Sequence, residues 1–162
     1  MQKINLIFFL FLFLSPLVNS KVMENPFFKE YETNFKIPPF SQIKEEHFMP
    51  AFVKGMEEHN AEIDSIIKNT NEPSFDNVIA AMERSGSLLS RVSAVFFNLS
   101  GSTTNPEIQA IEKEISPKLS GHYDLISLNP EIFKKVRVLW ERIDDLELSS
   151  EERKILEETY KR

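Results

Sequence analysis

The chain contains no cysteine, and only four glycines, three histidines and one tryptophan stand among its 162 residues. Without cysteine there is no disulfide, no thiolate metal ligand and no acylated lipoprotein anchor, so a fold here must be held by apolar packing. With so few glycines there is no Gly-rich phosphate loop and no Gly-x-Ser-x-Gly nucleophile turn. Positive charge is also short: 19 Lys and Arg stand against 25 Asp and Glu, a net of −6. Nucleic-acid binding needs a basic face that neutralises phosphates, so no nucleic-acid partner is expected. The acids are scattered rather than clustered, which is the pattern of an ordinary solvated surface.

What is present begins with a leader pattern. Lys3 precedes Ile4 to Leu14, an apolar run broken only by Asn5; Pro16 closes it, and Val18-Asn19-Ser20 places small residues at the −3 and −1 positions of a cleavage site. This predicts a signal peptide over residues 1–20 and a mature chain beginning at Lys21, exported to the periplasm or secreted and free of the membrane after cleavage. The alternative, an uncleaved anchor, needs an apolar run of roughly 20 residues, longer than this one. Lys3 is the only charge in the leader, so the mature chain keeps 18 basic side chains against the 25 acids.

Residues 21–40 read as an extended arm. Asn25 to Phe40 (NPFFKEYETNFKIPPF) has aromatic anchors without helical period, and Pro38-Pro39 forbids a helix, so the Phe side chains are expected to pin the arm onto the body. Residues 41–162 are helical in pattern. Phe48, Phe52, Met56, Ile63 and Ile67 form one stripe, widened by Val53 and Ile66, with Pro50 tolerable in the first turn. A turn at Asn69 to Pro73 leads to Ser74 as N-cap of a second helix, to about Leu99, carrying Val78, Met82, Leu89, Val92, Phe96 and Leu99, with Gly86 thinning one turn for close approach or a bend. Asn105-Pro106 starts a third helix, expected to be kinked at Pro117. Asn129-Pro130 starts a fourth, with Phe133, Val136, Trp140 and Ile143 on its buried face. Ser149-Ser-Glu-Glu152 is a capping box for a fifth, carrying Leu156 and Tyr160. No alternation of strand type occurs, so the fold class is all-α. The fifth helix runs to Arg162 without a stop signal, which suggests a chain truncated at its C-terminal end.

The candidate chemistry is thin. A zinc-peptidase helix needs histidines at i and i+4 with a glutamate beside the first. The three histidines are His47, His59 and His122, and the twelve residues from His47 to His59 span about 18 Å of helix, far beyond a shared metal. Their expected place is polar surface or helix ends. Ser85-Gly86-Ser87 lies too deep in a helical pattern for a nucleophile turn, and Asp144-Asp145 and Glu151-Glu152 sit where helix ends favour acids. Asn98-Leu99-Ser100 is formally a glycosylation sequon, otherwise a helix C-terminus. The Phe-rich stripes, from 14 phenylalanines, read as core rather than a ligand groove. No catalytic, cofactor-binding or metal residue is assigned.

Arg84 to Ser100 (RSGSLLSRVSAVFFNLS) nevertheless resembles a segment in the N-terminal helical region of the thimet-oligopeptidase family of zinc metallopeptidases, within its peptidyl-dipeptidase branch. NPFF at Asn25 to Phe28, PPFSQIKEEHFMPAF at Pro38 to Phe52, AEIDSIIKN at Ala61 to Asn69 and IEKEISPKLSGHYDLISLNPEIFKKV at Ile111 to Val136 carry the same likeness. Glu45 stands where that pattern has proline, which is expected to shift the helix start. The resemblance implies a two-lobed helical enzyme with a deep channel, zinc on its floor, and short peptides as substrates. It also implies that these helices build part of one wall, with the missing C-terminal catalytic region as their partner. The family's His-Glu-x-x-His helix is absent from this chain, so the expectation is an N-terminal fragment that binds no zinc and is inert alone. The rival expectation is a free-standing secreted helical module that binds peptides or proteins.

Overall fold

The computed structural model describes residues 24–161, so the expected leader lies outside the described residues. Six α-helices follow in chain order: α1 (Phe48–Lys68), α2 (Ala81–Arg84), α3 (Ser87–Ser102), α4 (Pro106–Ser127), α5 (Pro130–Glu141) and α6 (Ser150–Lys161). Among the described residues there is no strand, and the fold is all-α. None of these helices is long and apolar enough to cross a membrane.

Local chemistry sets most helix starts. Ser74 Oγ accepts from Asn77 N while Asn77 Oδ1 accepts from Ser74 N, closing a reciprocal cap. Asn105 and Asn129 each cap a following proline at the first helical position, accepting from Ile108 N at 2.8 Å and from Glu131 N at 2.9 Å. Ser149 and Glu152 complete the predicted capping box. Pro50 falls in the first turn of α1, and α4 passes through Pro117 as one helix. Glu45–His47 forms a single 3-10 turn before α1, with Glu45 accepting from Asn105 Nδ2 at 2.9 Å.

Two apolar cores are strung on α1. The first gathers Phe27, Phe48, Phe52, Leu89, Val92, Phe96, Ile108 and Ile115. Phe48 and Phe52 both meet Phe96 edge-on, at ring separations of 5.0 and 5.3 Å, the arrangement in which a positive ring edge faces a negative face. The second core joins Ile63 and Ile66 of α1 to Val78, Ile79, Ile132, Val136, Leu139 and Leu156. Helix α1 packs most extensively on α3, and Gly55 is the reason for the closeness: a Cβ there would lie 2.9 Å from Leu89 Cα.

Four expectations need correction. The second helix is not continuous: a π turn (Phe75–Ala80) leads into α2, the chain breaks at Ser85-Gly86, and α3 starts anew and runs to Ser102. At that break Gly86 takes φ 68°, a left-handed conformation that glycine adopts without strain, and it gives the expected close approach, with the His59 ring against it. Of the arm's phenylalanines only Phe27 is buried, with Tyr31 packed partly against the same core; Phe35 is 95% exposed, and Phe28 and Phe40 are also exposed. Polar ties fix the arm as well: Asn25 Nδ2 donates to the His47 carbonyl at 2.7 Å, and Arg91 donates to the Phe27 carbonyl at 2.8 Å. On α5 the buried face is Ile132, Val136 and Leu139, while Phe133 is exposed and lies on Tyr160. On α1, Val53 is exposed and does not widen the buried stripe.

Candidate functional site

All three histidines are buried, so none is polar surface, and only His47, in the turn that leads into α1, has the expected place at a helix end. His47, in the turn before α1, accepts from Lys44 N through Nδ1 at 3.0 Å and so closes that turn. His59 on α1 and His122 on α4, 8% and 6% exposed, meet directly: His122 Nε2 and His59 Nδ1 are 3.0 Å apart. His59 Nε2 lies 3.1 Å from Ser85 Oγ at the α2–α3 break.

Their position follows from helical repeat. His59 stands two turns beyond Phe52, and His122 two turns beyond Ile115, so both fall on apolar stripes. Along α1, Phe52 belongs to the first core and Ile63 to the second; along α4, Leu119 belongs to the first and Ile126 packs on the second. The pair is a polar joint where the two cores meet. Continuing the stripes by one heptad would have found both rings, but no local signal pairs residues 63 positions apart.

Ser85, His59 and His122 have the order of nucleophile, base and orienting group, yet the protons point the other way. Ser85 Oγ donates its only proton to the Met82 carbonyl at 2.6 Å. His59 Nε2 must then donate to Ser85 Oγ, its Nδ1 must accept, and His122 Nε2 must donate. Each of the three protons has its acceptor and no imidazole lone pair faces the hydroxyl, so the arrangement ties α4, α1 and the break together rather than activating Ser85. Glu62 adds a fourth strand, accepting from Gly86 N at 2.6 Å. Gly86 is required twice, because a Cβ there would stand 2.8 Å from the His59 ring.

Burial pushes both imidazoles below their ordinary range; Glu62 partly offsets this at His59, whereas His59 itself adds to it at His122. On one side, His122 borders an open groove of about 890 Å³ between α1 and α4, where Leu125 and Leu128 are 76% and 80% exposed. On the other, His59 and Ser85 border a cavity of about 210 Å³ lined also by Tyr123, Phe133 and Tyr160.

The residues present do not fit a zinc centre. Both nitrogens of His59 and Nε2 of His122 are spent on hydrogen bonds, His47 Nδ1 is spent on Lys44, and among the described residues no group of three or more His, Asp or Glu could hold a metal ion.

No protein-family model matches the chain. Over 138 residues it is 38% identical to dipeptidyl carboxypeptidase of Escherichia coli (strain K12), a match covering 85% of this chain and 20% of that protein. Dipeptidyl carboxypeptidase of Salmonella typhimurium (strain LT2) is 33% identical over the same extent. Oligopeptidase A of the same Salmonella strain is 24% identical over 107 residues, 66% of this chain and 16% of that protein. The chain thus spans about a fifth of the length of the curated dipeptidyl carboxypeptidases it matches.

Proposed function

Because the homologues of this chain are dipeptidyl carboxypeptidases, with oligopeptidase A more distant, we propose that it is the N-terminal helical part of an exported zinc peptidase acting on short peptides. We propose further that it is inert by itself. The observation that carries this reading is the alignment, which takes in most of this chain but only a fifth of its relatives. Hydrolysing a peptide bond needs an activated water, and in a zinc peptidase that water is held by histidines one helical turn apart with a glutamate beside the first. No such pair occurs in these 162 residues.

Two capped cores on one spine helix give the piece a way to fold, while the groove beside α4 leaves apolar surface for a larger partner. Purified residues 21–162 should carry no stoichiometric zinc and release no dipeptide from blocked oligopeptides above background. Metal analysis finding one tight zinc per chain, together with chelator-sensitive cleavage, would refute this. Coding sequence after Arg162 should continue in frame into a His-Glu-x-x-His helix; a stop codon at that point would favour instead a free-standing helical binding module.

Export belongs to the same proposal and rests on the Lys3, Ile4 to Leu14 and Val18-Asn19-Ser20 pattern. Mass spectrometry of the exported protein should give Lys21 as its first residue. Retention of Met1 in a membrane fraction would rule out cleavage.

A further inference from the structure

The joint between the two cores is polar, hydrogen-bonded from ring to ring to hydroxyl, and made of groups that titrate, which is an unusual choice where Leu or Met would fill the stripe without any proton dependence. We propose that His59 and His122 form a buried, proton-operated latch that holds α4 against α1 and the α2–α3 break and lets go when both rings are charged. This goes beyond the peptidase reading and does not depend on it.

The bond directions say where the protons go. In the neutral pair His122 Nε2–H donates to His59 Nδ1, and His59 Nε2–H donates to Ser85 Oγ. A first proton can enter at His122 Nδ1 and leave every one of these bonds in place. A second has only His59 Nδ1 to enter, where it meets the His122 Nε2–H head-on at 3.0 Å. Two donors and two positive rings, with centroids 5.0 Å apart, then replace a hydrogen bond. The event is therefore a two-proton one.

Carboxylates outnumber cations around the pair, but burial outweighs them. On α1 the facing acids are Glu62, already engaged by Gly86 N, and Glu57 at the groove rim. The α2 side offers Glu83 on the cavity wall, and α4 offers Lys118 and Asp124 at the groove together with Tyr123 against both rings. From α6 comes Tyr160, while α5 brings only apolar groups to the cavity. Burial favours the neutral rings, so the folded protein binds these protons less readily than the unfolded chain. Stability from the pair is complete above the ordinary imidazole range and falls as pH drops through it. Since His122 borders the groove and His59 the cavity, parting the rings joins the two spaces.

The test uses the full chain with nitrogen-15-labelled histidine, titrated by NMR from about pH 7.5 to about pH 4.5, with amide exchange followed in parallel. Expected is a first proton on His122 Nδ1 with the inter-ring bond kept. The second proton, on His59, should arrive together with a loss of protection in the C-terminal half of α4 of about tenfold or more, one power of ten for each pH unit by which the pair is held down. His122→Gln presents an N–H to His59 Nδ1 but cannot charge, and should keep that protection at the acid end. Independent titration of both rings in the ordinary range with α4 unchanged would overturn the latch. So would acid opening of His122→Gln equal to that of the unaltered chain, which would place the event outside the histidine pair. Should His122→Gln fail to fold, the ring titration of the unaltered chain decides alone.

Discussion

Replacing Phe96 by alanine should destabilise the protein by about 3–5 kcal/mol, the range for deleting a buried aromatic ring. Phe96 is fully buried at the centre of the first core, with Phe48 and Phe52 edge-on to it and Phe97 beside it. Removing the ring leaves a void walled by α1 and α3, whose close contact at Gly55 limits how far the helices can collapse into it. Total stabilities of such domains are about 5–15 kcal/mol, so this one change takes a large share. Urea unfolding followed by far-UV circular dichroism measures it. Phe97→Ala, on the exposed side of the same turn, serves as the reference and should cost about 1 kcal/mol or less, as surface changes do. Equal losses for the two variants would mean that the first core is not packed as described.

The second large effect is a reversal of sign between two helical glycines. Alanine normally stabilises a helix interior by about 1 kcal/mol over glycine. At Gly121 on α4 a Cβ would meet nothing within 4 Å, so Gly121→Ala should gain most of that amount. At Gly55 the same methyl would press on the backbone of α3, 2.9 Å from Leu89 Cα and 3.0 Å from its nitrogen, and a backbone cannot rotate aside. Overpacking of this kind costs about 1–3 kcal/mol, so Gly55→Ala should be net destabilising and Gly55→Val more so. Thermal melts of the variants should move in opposite directions from the parent. A rise in melting temperature for Gly55→Ala would show that α1 and α3 stand further apart.

The parts of this fold that could be read from sequence are those decided within one helical turn. Asn105-Pro106, Asn129-Pro130 and the Ser149–Glu152 box each specify a helix start through atoms three residues apart, and each sits where the pattern put it. The Ser74 cap was legible for the same reason. At Gly86 a bend or close approach was legible but the full break was not, because its amide is held by Glu62 and its missing side chain makes room for the His59 ring, 24 and 27 positions earlier. The register of α5 also turned on tertiary context: Phe133 is larger than Ile132, yet Tyr160 offers it a stacking surface outside the core. The histidine pair was missed because an imidazole on an apolar stripe looks like an interruption until its partner on another helix is known.

The stack of Trp140 on Tyr160, 4.8 Å apart and nearly parallel, gives the two cores separate optical voices. Trp140 is the only indole in the chain, and it packs against the second core. The first core is built around phenylalanine and has no such reporter. Indole fluorescence therefore follows α5 and α6 peeling away and is blind to the phenylalanine core, while the far-ultraviolet signal averages over both. An unfolding curve taken from indole emission reads the packing of the second core.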